Sequence, residues 1–141
     1  MPGDLYAVST DPARLDLDVV TRLLNETYWA AGRSRETIRA SWEKSICFGA
    51  YLQADGAQVG FARVVGDGVT FSWVCDVVVD SAHRGRGLGK LLMRSIVQHP
   101  AVRGTRSLLL TRDAHGLYEQ FGFERHEAMR RPADAASGGR S

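Results

Sequence analysis

The spacing of apolar and polar residues along this chain predicts a succession of strands and helices that extends to about position 123. Apolar runs of strand length occur at Leu5–Ser9, Ile46–Gln53, Gln58–Val65, Val69–Val79 and Ser107–Thr111. The turn residues Asp55-Gly56 and Gly66-Asp67-Gly68 leave only short links between the second, third and fourth of these runs, which predicts an antiparallel meander. Phe121–Phe123 is expected to begin a last strand.

Apolar residues recur at helical spacing in four further segments. The first covers residues 16–31, and the second begins at Ser34, whose hydroxyl suits the N-cap position of a helix. The third covers residues 87–99 and the fourth residues 114–120. A proline ends the third helix and opens a loop over Pro100–Thr105.

The order of these elements predicts an α+β fold with a mixed sheet. The strand at 74–79, the helix at 87–99 and the strand at 107–111 form a parallel crossover, whereas the earlier strands are antiparallel. A length of 141 residues suits one domain, which we place at residues 1–131. The tail, 132–141, is rich in Ala, Gly and Ser and is predicted to be disordered.

Composition and charge exclude several classes of protein. An apolar fraction of 44% with 24% charged residues is typical of a soluble globular domain, and a net charge of +2 is too small to indicate a nucleic-acid partner. Cys47 and Cys75 have no metal-ligand spacing and are expected to be buried free thiols, with a disulfide or a nucleophile as alternatives. No leader peptide and no membrane-spanning apolar run is evident, so we expect a cytoplasmic location without a membrane partner.

The candidate chemistry begins at a Gly-rich turn, Arg84–Lys90, directly after the strand that ends at Val79. Its glycines allow successive backbone N–H groups to converge, and the first N–H groups of the following helix have no partner inside the helix. Because two arginines and a lysine add positive charge, the expected ligand is a phosphate or pyrophosphate. The spacing differs from both G-x-x-x-x-G-K-[S/T] and G-x-G-x-x-G, which excludes these two common nucleotide motifs.

A second signature occurs about thirty residues later, in the segment Asp113–Phe123, with the sequence DAHGLYEQFGF. Arg84–Gly89 fits R/Q-x-x-G-x-G/A and resembles the coenzyme A pyrophosphate loop of the GNAT superfamily of N-acyltransferases. The second segment resembles the A-x-x-x-Y-x-x-x-G-F signature that follows the fifth strand of these enzymes. Because the two motifs occur in the family's order, the chain is similar to a small bacterial member of that family over roughly residues 5–130.

The resemblance implies the GNAT fold, with a sheet that splays between the fourth and fifth strands, and acetyl-CoA as cosubstrate. The pantetheine arm would enter this gap and pair with the backbone of Val77 and Val79, and the Val77 N–H would polarise the thioester carbonyl. The residues expected to contact acetyl-CoA are Val77, Val78, Val79, Arg84, Gly85, Arg86, Gly87, Leu88, Gly89, Lys90 and Thr111. Thr111 departs from the family pattern, which often has Asn there.

The resemblance also implies transfer of an acetyl group to a primary amine, which attacks the thioester directly. Tyr118 matches the family's general acid, because a phenol that is protonated at neutral pH can donate to the leaving sulfur; the alternative is simple core packing. Asp76 is a lone carboxylate within an apolar strand. It either serves as the general base or is structural and tied to an arginine such as Arg63. Glu26 is a weaker candidate for the base.

The acceptor pocket is expected at the link between the first two helices. Tyr28, Trp29 and Arg33 would form an aromatic wall with one positive charge, and the alternative is a packed helix corner. His115 is either a surface imidazole or a contact to substrate. A non-catalytic acyl-CoA-binding module is the rival function, and a binder of polyanions is a third. The resemblance allows a homodimer, and the acceptor, whether small molecule or protein, is left open.

Overall fold

The structure, a computed structural model, describes residues 2–133. Most of the tail that is predicted to be disordered, residues 134–141, lies outside the described residues. Five strands form one sheet in the order β1-β2-β3-β4-β5. They are β1 Tyr6–Ser9, β2 Ile46–Leu52, β3 Gln58–Gly66, β4 Phe71–Val79 and β5 Arg106–Leu108. Each neighbouring pair from β1 to β4 is antiparallel, whereas β5 pairs with β4 in parallel.

Helices cover both faces of this sheet. They are α1 Pro2–Leu5, α2 Leu17–Asn25, α3 Arg35–Glu43, α4 Leu88–Gln98, α5 Pro100–Arg103 and α6 His115–Glu119. Short 3-10 turns lie at Pro12–Arg14 and Ser81–His83. The predicted α+β class with a mixed sheet is confirmed. No helix within residues 2–133 is long and apolar enough to cross a lipid bilayer.

Two hydrophobic clusters lie on opposite faces of the sheet and hold β4 between them. One contains the buried face of α4, including Leu88, Leu92 and Ile96, and the other contains buried residues of α2 and α3. Burial of each such side chain contributes about 1.5–3 kcal/mol. Both clusters pack on the same sheet.

The first predicted helix is too long by six residues, since α2 ends at Asn25 rather than at position 31. The Asn25 side chain accepts a hydrogen bond from the Gly32 N–H at 2.7 Å and donates one to the Arg33 carbonyl at 3.0 Å. Gly32 has a φ of 88°, which favours glycine. Residues 26–34 therefore form a folded connector, and Tyr28 lies in this connector instead of on a helical face.

Three other predictions at the ends of elements are wrong. The strand expected from Val69 begins at Phe71, because the Asp67 carboxylate accepts hydrogen bonds from the backbone N–H groups of residues 69–71 and thereby forms a turn. The loop expected at Pro100–Thr105 contains α5, whose start is capped by the His99 side chain. The segment Phe121–Phe123 is not a strand, since the Phe123 N–H bonds the Tyr118 carbonyl at the end of α6.

Pairing between β4 and β5 is short, and this opens the sheet. The two strands pair over three positions only, Phe71 with Arg106, Ser72 with Ser107 and Trp73 with Leu108. The predicted strand at 107–111 is therefore assigned over Arg106–Leu108 alone. Beyond Trp73, the edge of β4 that faces β5 has no strand partner among the described residues. The predicted splay between the fourth and fifth strands is confirmed.

Candidate active site

The Gly-rich turn is held in place by contacts at its beginning. Asp80 accepts hydrogen bonds from the Ala82 N–H at 3.0 Å and from the Arg22 guanidinium of α2 at 3.0 Å. The buried Tyr6 hydroxyl of β1 is hydrogen-bonded to Nδ1 of His83 at 2.8 Å. These contacts lower the pKa of Asp80, mainly through its bond to Ala82 and then through Arg22. The turn thus starts from a fixed position between α2 and β1.

Within the turn, Gly85 and Gly87 both have a φ of 79°, a conformation that is costly for other residues. Gly87 is the N-cap of α4, and no side chain of the described residues caps this helix end. The backbone N–H groups at the start of α4 are therefore available, and the helix dipole adds about half a positive charge there. The exposed Arg84, Arg86 and Lys90 have no ion-pair partner within residues 2–133.

The edge of β4 that precedes this turn presents backbone groups to the gap. The Asp80 N–H donates to the Val59 carbonyl of β3 at 2.8 Å. Because successive residues of a strand direct their backbone groups to opposite sides, Val78 also faces β3, where it pairs with Phe61. Val77 and Val79 then face the open side, as the resemblance implies. Val78, the third predicted contact, presents its backbone to β3 and its buried side chain to the cluster of α2 and α3.

Tyr118 lies on α6, which follows β5 along the chain. Its ring is half-buried and makes an edge contact with Phe123, with ring centroids 6.0 Å apart. Burial raises the pKa of the Tyr118 phenol, and the nearby Tyr28 and Asp113 raise it further. Among the described residues its hydroxyl has no hydrogen-bond partner, yet it is not sealed from solvent. The phenol is therefore protonated at neutral pH and can donate a proton.

Thr111 precedes α6, and His115 is the first residue of that helix. The Thr111 hydroxyl accepts a hydrogen bond from the Ala114 N–H at 3.0 Å and so supports the start of α6, which leaves its hydrogen free to donate. His115 is half-buried and, with Tyr118, lines a groove of about 950 Å³ along β5. This groove does not include the Gly-rich turn or the β4 edge at Val77–Val79.

The predicted acceptor residues come together around a buried carboxylate. Asp76 is 1% exposed, and its Oδ1 accepts a hydrogen bond from the Trp29 indole at 2.7 Å. Its Oδ2 accepts from the guanidinium groups of Arg33, at 3.2 Å, and Arg63, at 2.9 Å. Arg63 also donates to the Ser45 hydroxyl at 3.1 Å. We call Trp29, Arg33, Arg63 and Asp76 the Asp76 cluster.

Tyr28 links the connector to the segment after β5. Its hydroxyl accepts a hydrogen bond from the Arg112 N–H at 3.1 Å, and the Arg112 guanidinium lies 3.7 Å from the centre of its ring. Tyr28 also makes an edge contact with Trp29, with ring centroids 5.0 Å apart. Tyr28 and Trp29 remain 47% and 41% exposed, so both rings are available to a ligand.

Some residues of the site have no signal in the sequence, and others are eliminated by their surroundings. Arg112 stands out by no motif, whereas Asn25 has the residue type of a helix terminus and could have indicated the end of α2.

Glu26 is exposed and faces Arg22 at 3.8 Å, in the manner of a solvated helix residue. Both cysteines are free thiols, and burial raises the pKa of Cys47 to about 12, so neither resembles an activated nucleophile.

A splayed sheet whose open edge leads into an uncapped, positively charged helix start fits an acyltransferase that binds a nucleotide thioester. Comparison with known proteins agrees, because residues 43–125 match the family described as acetyltransferase (GNAT) domain. The chain is similar to a crystal structure assigned to that family from Xanthomonas campestris pv. campestris, at 40% identity and a TM-score of 0.80. This similarity covers 94% of the chain and 89% of the Xanthomonas protein.

Two curated relatives from Oryza sativa subsp. japonica carry more specific names. Glucosamine 6-phosphate N-acetyltransferase 1 is 32% identical over 72% of this chain and 70% of its own length. Serotonin N-acetyltransferase 2, chloroplastic, is 32% identical over 84% of this chain and 61% of its own length. The chain therefore belongs to the GNAT family and is an N-acetyltransferase, and that family generally uses acetyl-CoA as cosubstrate.

Proposed function

We propose that this chain transfers the acetyl group of acetyl-CoA to a primary amine that attacks the thioester directly. The observation that carries the proposal is the continuity of three features along the chain. The open edge of β4 at Val77 and Val79 leads into the Gly-rich turn, which leads into the uncapped start of α4. This arrangement fits a ligand that is extended at one end and doubly charged at the other.

The backbone and the charged side chains bind the cosubstrate in this proposal. N–H groups between Gly85 and Lys90 hold the pyrophosphate, with Arg84, Arg86 and Lys90 around it. Val77 and Val79 pair with the pantetheine amides as a neighbouring strand would. The Val77 N–H, on the open side of β4, would donate to the thioester carbonyl and so stabilise the charge that develops on the oxygen.

Bound acetyl-CoA supplies an activated acetyl group, and the chain's own residues move the protons. As the amine nitrogen bonds to the carbonyl carbon, the carbon–sulfur bond breaks and the Tyr118 hydroxyl donates its proton to the sulfur. The nitrogen releases a proton to solvent water as the amide forms, and the Tyr118 phenolate takes a proton back from water. The ammonium form of the acceptor must first lose a proton, because its pKa is about 10 in water. Thr111 can contribute its free hydroxyl hydrogen to a contact with the cosubstrate.

The contacts of Asp76 favour the structural one of its two interpretations. Three donors already occupy the carboxylate, two of them guanidinium groups, and only 1% of the residue is exposed. A proton taken from an amine would have to displace one of these hydrogen bonds. We therefore assign to Asp76 the role of holding Trp29 and Arg33 beside the acceptor, with solvent water as the proton acceptor.

The acceptor is a primary amine in this proposal, and the connector supplies its walls. Tyr28 and Trp29 offer exposed aromatic surface close to Tyr118, and Arg33 offers positive charge. The relatives named for serotonin and for glucosamine 6-phosphate both carry the name of a primary amine. These two compounds are the first acceptors to assay.

Calorimetric titration with acetyl-CoA, followed by an assay of thiol release over a panel of amines, tests the proposal. We expect saturable binding and release of free CoA that depends on the amine. Absence of binding at millimolar acetyl-CoA would contradict the proposal entirely. Binding without thiol release across the whole panel would favour the rival function, a non-catalytic acyl-CoA-binding module.

A further inference from the structure

The Asp76 cluster contains more positive charge than its own carboxylate can neutralise. Two guanidinium groups, those of Arg33 and Arg63, share one carboxylate, and the side chains are 23%, 15% and 1% exposed for Arg33, Arg63 and Asp76. The net charge of this half-buried group is therefore +1. Uncompensated charge that is partly removed from water is energetically unfavourable. Binding of an anion would neutralise the net positive charge of the cluster and so stabilise it.

Arg33 is the member of the cluster that can receive this anion. Among the described residues, Nη1 of Arg33 donates only to Asp76, and the other N–H groups of its guanidinium have no partner. Arg63 is more buried and uses separate nitrogens for Asp76 and Ser45. Because the bond to Asp76 holds the Arg33 guanidinium in one orientation, its free edge is preorganised for a planar or tetrahedral oxyanion.

The position of Arg33 assigns this anion to the acceptor rather than to CoA. Successive side chains of a strand point to opposite faces, so Asp76 and its partners lie on the face of α2 and α3, whereas α4 packs on the other face. Trp29 has an exposed ring, and its indole N–H bonds the same Asp76 carboxylate as Arg33. Trp29 contacts the ring of Tyr28, and Tyr28 is close enough to Tyr118 to raise the pKa of that phenol.

We propose that the free edge of Arg33 binds an anionic oxyacid group, a carboxylate or a phosphate, carried by the same molecule as the reacting amine. This inference rests on the proposed function and narrows it to one class of acceptor. The aromatic rings of Tyr28 and Trp29 cover the part of the acceptor that lies between its amine and its anionic group. Arg33 is then a residue that determines specificity, and Asp76 positions it.

Matched pairs of amines test this inference. The probes are β-alanine with β-alaninamide, and O-phosphoethanolamine with ethanolamine, each assayed by thiol release from acetyl-CoA. We expect kcat/KM to be about 10- to 100-fold higher for the member with the anionic group in at least one pair. This is the gain in affinity that one charge-assisted hydrogen bond gives. The pair with the larger ratio identifies carboxylate or phosphate as the recognised group.

The variant Arg33→Met should remove this preference. It leaves Trp29 and Arg63 on Asp76, so the ratio of kcat/KM between the anionic and the neutral member of a pair should fall toward one, mainly through loss for the anionic member. Arg33→Lys keeps the positive charge but loses the paired N–H donors of the guanidinium, and it should keep part of the preference. Arg35→Met is the control, because Arg35 is an exposed arginine that pairs with Asp18 of α2 and should change neither rate. Equal loss for both members of a pair, or no preference in the parent protein, would overturn the inference.

A binding measurement separates this inference from the proposed function. The Trp29 indole N–H bonds the same carboxylate as Arg33, so its NMR resonance should move when an anion binds Arg33. It can be assigned through the variants Trp42→Phe and Trp73→Phe. We expect a saturable shift with the anionic probes that is clearly larger than the shift with their neutral partners, and equal or absent shifts for both members of each pair would reject the anion site. If thiol release fails with every amine while this shift persists, the proposed function is wrong and the anion site remains.

Discussion

The acetyl-CoA side of the site and the acceptor side differ in how far apart along the chain their residues lie. Val77 to Lys90 is one continuous segment of strand, turn and helix start. The acceptor side is assembled across the fold, because the bonds from Trp29 and Arg33 to Asp76 join residues 47 and 43 positions apart. The bond between Tyr28 and Arg112 joins residues 84 positions apart.

This difference predicts different weaknesses for the two sides. The acetyl-CoA side depends on backbone conformation, so a change that strains a glycine should impair binding while the fold stays intact. The acceptor side depends on pairs of charged side chains in a half-buried place, so loss of one partner leaves the others uncompensated. Changes there should therefore affect stability and acceptor affinity together. In the proposed reaction Tyr118 acts on the leaving sulfur and should affect turnover alone.

Tyr118→Phe should give the largest effect, because it removes the proton donor while keeping the ring contact with Phe123. We expect kcat to fall about 10²- to 10⁴-fold and the KM for acetyl-CoA to stay nearly constant. The raised pKa of Tyr118 adds a pH test. A donor must be protonated, so the loss of kcat on the alkaline side should begin above the usual titration range of a tyrosine and be absent in the variant. Unchanged turnover would reject the acid role.

Asp76→Asn should have the next largest effect. The variant leaves two guanidinium groups without a carboxylate, and we expect unfolding free energy to fall by about 3–5 kcal/mol, measured by denaturant titration. The KM for the amine should rise, and the pH–rate profile should keep its acidic limb. Asp80→Asn is the control, because Asp80 is more exposed and pairs with one arginine. Loss of the acidic limb at unchanged stability would restore Asp76 as the general base.

Gly85→Ala probes the backbone of the acetyl-CoA side. A Cβ at Gly85 would meet no atom within 4 Å, so the only cost is the φ of 79°, about 1–2 kcal/mol for a residue other than glycine. We expect roughly tenfold weaker binding of acetyl-CoA by calorimetry, with the amine preference unchanged. Gly104→Ala also places its Cβ in open space, but without a positive φ, and should leave binding unchanged. Equal effects of both substitutions would contradict the role of the turn conformation.

Tyr6→Phe should give the smallest effect. It removes the hydrogen bond to His83 at the entrance of the Gly-rich turn, which contributes about 0.5–1.5 kcal/mol. We expect the KM for acetyl-CoA to rise a few-fold at constant kcat. Tyr51→Phe is a matched control, since the buried Tyr51 hydroxyl has no hydrogen-bond partner in the described part of the chain. An unchanged KM in Tyr6→Phe would show that the turn does not need this anchor.

The features that the sequence predicted well are those that depend on neighbouring residues. Apolar spacing located β2, β3 and α4 to within about two residues, and the N-cap role of Ser34 is confirmed by its bond to the Thr37 N–H. The turn at 84–90 could be recognised from its glycines and basic residues alone. The end of α2 was missed because helical spacing continues through Tyr28, while the Asn25 side chain closes the connector instead.

Residue types and their local order were enough to predict the fold class and the turn that follows β4, and the resemblance to the GNAT family added Tyr118 as the candidate acid. They could identify Asp76 as unusual, but its partners depend on strand register and on how the connector packs against β4. Those contacts join distant positions, and each is favourable only after the rest of the fold has met the entropy cost of bringing them together. Packing in three dimensions therefore established that Trp29, Arg33 and Arg63 share one carboxylate and that β5 leaves the edge of β4 open.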